Sequence, residues 1–197
     1  RILDGVAPAS IPIIKNSKST LYLNMELAKK TGVVFPMEVI EEVLRQGLED
    51  VAVGAVWDPE AVKQMQAAGI GNTITLELGG RTDMPSINKK GEPLTVTGNV
   101  KTLTDGNWVV RGPMYTGVEV RLGDTAVLDT GNMEIVITSL HHEPWDQGIF
   151  TSVGIDPKFK KYLILKSDLP ARFIRQVSKR WVCCDPSPMT WRQMAGG

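Results

Sequence analysis

Cysteine is nearly missing from this chain: among 197 residues there are two, Cys183 and Cys184, and they are adjacent. In an extended segment neighbouring side chains point to opposite faces, so a bridge between this pair is strained. Two thiols also fall short of a structural zinc site. They read as free thiols, which places the chain in a reducing, cytoplasmic compartment. Histidine is equally scarce, with His141 and His142 alone. Neither sign of charge is in excess, since 22 basic residues balance 22 acidic ones. That excludes the broad basic footprint of a nucleic-acid or anionic-membrane binder. No run of about 18 apolar residues occurs, so no segment reads as a membrane-spanning helix. The chain opens on Arg1-Ile2-Leu3 with no initiator Met and no signal-peptide layout, which suggests a processed or partial chain.

What is present is an alternation of short apolar runs with glycine and proline. Residues 11–14 read as a short extended segment and 20–30 as a helix stopped by Gly32. A firmer helix follows Pro36, where Val39, Ile40, Val43, Leu44 and Leu48 recur at helical spacing and Gly47 stands near the end. The apolar run 50–56 reads as a strand buried on both faces. Asp58-Pro59-Glu60 then has the layout of a helix start: a capping carboxylate, a proline at the first helical position, and an acid at the positive end of the dipole. Gly69 should end that helix, with Ala61, Met65 and Ala68 as its packing face.

From residue 72 to 139 the grammar changes to short strands, at 73–78, 94–100, 108–110, 118–122, 126–128 and 133–138. Asp105-Gly106 and Thr130-Gly131-Asn132 have hairpin turn chemistry. Such spacing predicts an antiparallel sheet or a small barrel-like lobe. The end returns to alternation, with a strand at 161–166, a helix at 171–179 and a closing strand at 181–184. The expected fold is α/β or α+β, a mixed sheet with flanking helices and an inserted, mainly antiparallel β-rich segment. It forms a single domain over residues 1–197, made of a helix and strand opening (1–71), the β-rich segment (72–139) and an α/β closing segment (140–197).

Residues able to carry chemistry are few. His141 and His142 lie in Leu140-His141-His142-Glu143-Pro144-Trp145-Asp146, close to two acids, but without the His-Glu-x-x-His spacing of a zinc helix. The segment reads first as a loop after strand 133–138. Gly79-Gly80-Arg81 has backbone N–H groups and a cation able to cradle an anion; a turn or bulge at a strand end is the plainer reading. Lys166-Ser167 closes an apolar strand, the place where ligands collect in α/β layers. A lysine there can hold a carboxylate or polarise a carbonyl, or simply leave the sheet. No Ser-His-Asp or Cys-His arrangement is defensible from the order of residues.

In order along the chain stand Leu44-Arg45-Gln46-Gly47-Leu48-Glu49-Asp50, Trp57-Asp58-Pro59-Glu60-Ala61-Val62, Leu78-Gly79-Gly80, Leu103-Thr104-Asp105-Gly106, Arg111-Gly112-Pro113-Met114-Tyr115, Thr125-Ala126-Val127-Leu128, Gly154-Ile155-Asp156-Pro157 and Leu165-Lys166-Ser167. This series, from about Glu38 to Ser167, resembles the C-terminal domain of the microcystinase C family of zinc metallopeptidases. The resemblance implies a hydrolase of peptide bonds, with zinc in the complete enzyme and none expected in this chain alone. It implies as partner a metal-binding N-terminal domain not contained in these residues, and a peptide or small amide as substrate. In that picture Lys166, Ser167, Gly79, Gly80 and Arg81 are the candidates for contact with substrate or partner domain, and catalytic residues stay unassigned. Two features depart from the family pattern. Asp4-Gly5-Val6-Ala7-Pro8 does not reproduce its Asp-Asn-Pro-Gly-Gly-Gly segment, and Lys166-Ser167 leads into Asp168-Leu169-Pro170 without the histidine that the family tends to carry. These departures leave open the alternative of a non-catalytic ligand-binding or protein-interaction module that retains the fold. The oligomeric state stays open.

Overall fold

The computed structural model describes residues 37–80, 92–165 and 182–183. The predicted elements at 11–14, 20–30 and 171–179 lie outside them. Helix α1 spans Met37–Gln46 and buries Met37, Ile40 and Val43, one face at helical spacing. It ends in a left-handed Gly47 at φ +62°, and Leu48 N–H reaches back to the Val43 carbonyl in a Schellman-type closure. Strand β1, Val51–Trp57, follows. Helix α2, Pro59–Ala68, starts as its sequence predicts: the Asp58 carboxylate accepts from Ala61 N–H at 3.0 Å, Pro59 takes the first turn, and Gly69 closes the helix.

Among the described residues seven strands build one sheet in the order β2-β3-β6-β7-β1-β8-β9. These are β2 (Thr73–Leu78), β3 (Leu94–Thr104), β6 (Thr125–Asp129), β7 (Met133–Thr138), β8 (Tyr162–Leu165) and β9 (Val182–Cys183), with β1 near the middle. Strands β2, β3, β6 and β7 pair antiparallel, whereas β7, β1, β8 and β9 pair parallel. Strand β7 therefore joins the two halves, and the expected β-rich segment supplies the antiparallel half of the main sheet through β2, β3, β6 and β7. A separate two-stranded sheet pairs β4 (Asn107–Val109) with β5 (Glu119–Arg121).

That pairing corrects one expectation. Asp105-Gly106 is not the turn of a hairpin. It leads from β3, which pairs with β2 and β6, into β4, which among the described residues pairs with β5 alone. Gly106 at φ +65° packs so tightly that a Cβ would stand 2.1 Å from the Gly123 carbonyl oxygen. The residue chemistry of a turn is present, but the long reach of β3 across two partners changes what the turn connects. Thr130-Gly131-Asn132 does form the β6–β7 hairpin.

Alternation along the central strands sorts the core into two faces. Val51 and Val53 of β1, with Ile135 and Ile137 of β7, pack beneath α1 and α2. Ala52, Val136 and Leu163 face the other way, onto Ile149 and Phe150 of the short helix α3 (Gly148–Thr151) and onto Val110, Val120 and Leu122 around the β4–β5 hairpin. Gly54 is required for this second layer: a Cβ there would meet the Phe150 ring at 2.6 Å. Strand β3 shifts register between Val100 and Thr102, where it passes from β2 to β6. Leu76 and Leu78 of β2 pack with Ala61, Val62 and Met65 of α2, and Gly79 at the close of β2 returns to the cap of that helix.

Candidate functional site

Strands β7 and β1 run parallel, and their C-terminal ends at Thr138 and Trp57 lie side by side. This is the edge at which open α/β sheets bind ligands. The chain leaving β7 stays close: Ser139 N–H donates to the Asp124 carbonyl and Leu140 N–H to the Leu122 carbonyl. The loop from His141 to Gln147 then crosses above the second core layer and descends into α3, where the buried Asp146 carboxylate accepts from Gly148 N–H at 2.8 Å.

Rings gather on this edge from four parts of the chain. Trp57 Nε1 donates to the Ser139 carbonyl at 3.1 Å, and its ring meets His141 edge-on at 6.2 Å between centroids. His142 turns the other way, 6.3 Å from Trp108 and 5.6 Å from Trp145. Tyr115 stands edge-on to Trp145 at 5.4 Å. It projects from the turn Gly112–Gly117, where Tyr115 has φ +58°, Thr116 Oγ1 donates to the Gly112 carbonyl, and Gly117 N–H closes onto Val110. Gly148 makes room for Trp108, because a Cβ there would lie 2.1 Å from the indole. Burial lowers the His142 pKa from 6.5; Glu143 opposes the shift and His141 adds to it. Its Nε2 is enclosed, with no hydrogen-bond partner among the described residues. His142 is therefore neutral at pH 7.

Beside the rings, between β4–β5 and Leu140, opens a cleft of about 590 Å³. Trp108, Val109 and Leu140 supply apolar wall, and Asp105, Glu119 and Asp124 carry carboxylates. Arg121 lies 3.8 Å from Glu119, an exposed pair of little energetic weight. The Asn107 backbone N–H holds the Asp105 carboxyl below its ordinary range, so it stays ionised. The cleft offers shape, aromatic surface and negative charge, which are the means to bind and orient a ligand.

The predicted site residues divide. Gly79 and Gly80 form the turn after β2, both at φ +63°. Gly79 N–H donates to Asp58 Oδ2 at 2.8 Å, and a Cβ on Gly80 would stand 2.1 Å from the Glu92 carbonyl oxygen. The pair thus serves a close backbone approach beside the end of β1. Arg81, Lys166 and Ser167 lie outside the described residues. The ring cluster was not singled out from the sequence, although three of the five tryptophans, Trp57, Trp108 and Trp145, meet in it. The signal was tryptophan at strand ends and in a polar loop, positions where a buried core does not demand it.

A catalytic zinc takes three protein ligands and an open position. Among the described residues no three His, Cys, Asp or Glu side chains come together in that way. His141 and His142 diverge onto different tryptophans, with His142 Nε2 closed in by rings. These residues do not fit the metal.

Residues 35–194 match the family described as MlrC C-terminus. The chain belongs to that family. An MlrC relative, microcystinase C of a Sphingomonas species, is 27% identical over 131 residues, covering 66% of this chain and 24% of the relative. A solved structure of a metallopeptidase candidate from Mesorhizobium sp. BNC1 shares the fold, with a TM-score of 0.63 and 21% identity over 76% of this chain and 29% of that one. The MlrC C-terminal domain seen here thus spans about a quarter of the length of these longer proteins. No helix among the described residues is long and apolar enough to cross a membrane.

Proposed function

We propose that this chain is the C-terminal, substrate-facing domain of an amide-hydrolysing MlrC-family metallopeptidase. It forms one wall of the substrate cleft and braces a metal-bearing N-terminal domain in a cytoplasmic enzyme. Zinc is the metal of this reading, held by that other domain. The observation that carries the reading is the open cleft of about 590 Å³ beside the C-terminal ends of β1 and β7. Its wall of Trp108, Val109 and Leu140 suits the apolar part of a peptide or small amide, and Asp105 and Asp124 suit its N–H groups. Hydrolysis itself is assigned to residues of the partner domain; the residues here bind and orient. Arg81, Lys166 and Ser167 remain candidate contacts. The second reading, a non-catalytic binding module, draws support from Asp168 standing where the family tends to carry histidine after Lys166-Ser167.

The test is peptide hydrolysis by two samples, the 197-residue chain and the protein expressed from the complete reading frame that contains it. The chain alone should give no turnover above background, and the longer protein chelator-sensitive cleavage. Within the longer protein, Trp108→Ala should raise KM about tenfold with a smaller change in kcat, as loss of a binding contact does. Lys166→Ala should lower turnover more than it lowers the unfolding midpoint. Cleavage by the 197 residues alone, or none by the metal-loaded longer protein, refutes the reading.

A further inference from the structure

Of the seven exposed large apolar residues among the described ones, five belong to one edge: Trp57, Val109, Tyr115, Val118 and Leu140. Single exposed apolar residues are ordinary, and Ile70 and Phe159 are of that kind; a contiguous set marks an interaction surface. Contiguity is given by the contacts. Trp57 is bonded to Ser139, the neighbour of Leu140, and meets His141. Tyr115 leans on Trp145, which meets Trp108, the neighbour of Val109, and Val118 N–H donates to the Tyr115 carbonyl. The rings are already held, Trp57 by its Nε1 bond and Tyr115 by its edge-on contact with Trp145. A partner therefore meets aromatic groups whose rotamer entropy is largely spent in folding, the condition under which Trp and Tyr become binding hot spots.

We infer that this ledge is the docking surface for the portion of a longer MlrC-family protein that precedes the C-terminal domain. The inference rests on the functional reading above and deepens it by naming the surface that holds the partner. Two observations select this occupant. About three quarters of the microcystinase C relative lies outside the matched region, so a large partner belongs to the architecture. The ledge also borders the cleft, with Val109 and Leu140 common to both, so a domain seated on it would cover one side of the cleft. The rim carries three carboxylates, Asp105, Glu119 and Asp124, against Arg121. The partner face should therefore be apolar at its centre and basic at its margin.

Hydrogen–deuterium exchange on the 197-residue chain and on the protein from the complete reading frame tests this. Amides of residues 114–118 and 140–145 should exchange at least about tenfold more slowly in the longer protein. Replacing both Trp57→Ser and Tyr115→Ser should restore the rates of the chain alone, while Trp57→Phe, which keeps an aromatic ring, should preserve the protection. Both positions are exposed, so the double variant of the chain alone should keep its unfolding midpoint. Equal exchange in the two proteins overturns the inference, as does a reading frame with nothing beyond the 197 residues. Protection already present in the dilute chain would assign the ledge to the chain's own remaining segments, and protection that grows with concentration to a second copy; either overturns it. Hydrolysis by a longer protein with an unprotected ledge sinks the docking alone, and protection without hydrolysis sinks the functional reading alone.

Discussion

His142 shows how one half-buried ring sets a pH dependence. Packed between Trp108 and Trp145, it loses solvation, and burial holds its pKa below 6.5. As pH falls through 6.5 the unfolded chain takes up a proton while the folded chain does not, so the folded state loses stability in that window. Above it both states are neutral and the residue contributes no pH dependence. Urea unfolding at pH 7.5 and 5.5 should therefore show a lower midpoint at the acidic value, and His142→Phe should reduce the difference. An unchanged difference in that variant would place the acid sensitivity elsewhere.

At the scale of elements, Asp58 joins three of them. It follows β1, caps α2 through Ala61 N–H, and holds Gly79 N–H at the end of β2. The carboxylate is 1% exposed, so a truncation leaves these donors without water to replace it. Loss of a cap costs about 1 kcal/mol, and a buried unsatisfied N–H about 1–3 kcal/mol. Asp58→Ala should therefore destabilise by about 2–4 kcal/mol in denaturant unfolding. A change below about 0.5 kcal/mol, the level of an ordinary surface substitution, would mean that the end of β2 is held by packing on α2 instead.

Across the whole molecule, Glu134 ties together regions far apart in sequence. Near the start of β7 it pairs with Lys101 of β3 and with Lys160 ahead of β8, while Lys101 also approaches Asp129 and Lys160 approaches Asp50. Burial pushes the Glu134 pKa up, but hydrogen bonds from the two lysines outweigh it and hold the carboxyl below 4.5. The same Glu134 contact raises the Lys101 pKa above 10.5 despite its partial burial. A depressed carboxyl contributes stability that is present above its unfolded pKa and is lost as pH falls through the folded one. Glu134→Gln should lower stability at pH 7 and flatten the decline below about pH 4.5. Thermal unfolding between pH 7 and 3 measures this, and parallel curves for the two proteins would contradict it.

Local chemistry determined much of this protein without help from the fold. The Asp58-Pro59-Glu60 start, the Gly47 and Gly69 stops and the Thr130-Gly131-Asn132 hairpin each act through contacts within a few residues, so the linear order already contains them. The continuous apolar character of β1 likewise reports burial on two faces. Only tertiary structure decided how far β3 extends and where it changes partners, because one run of alternating residues suits any neighbour that offers a matching face. The same holds for the site. Trp57, Trp108, Tyr115 and Trp145 are separated by up to 88 positions in the chain, and the parallel pairing of β1 with β7 and the turn after β4 bring them to one edge. A ring exposed at a strand end looks, in sequence, like any other apolar residue; its meaning comes from the neighbours that the sheet assembles around it.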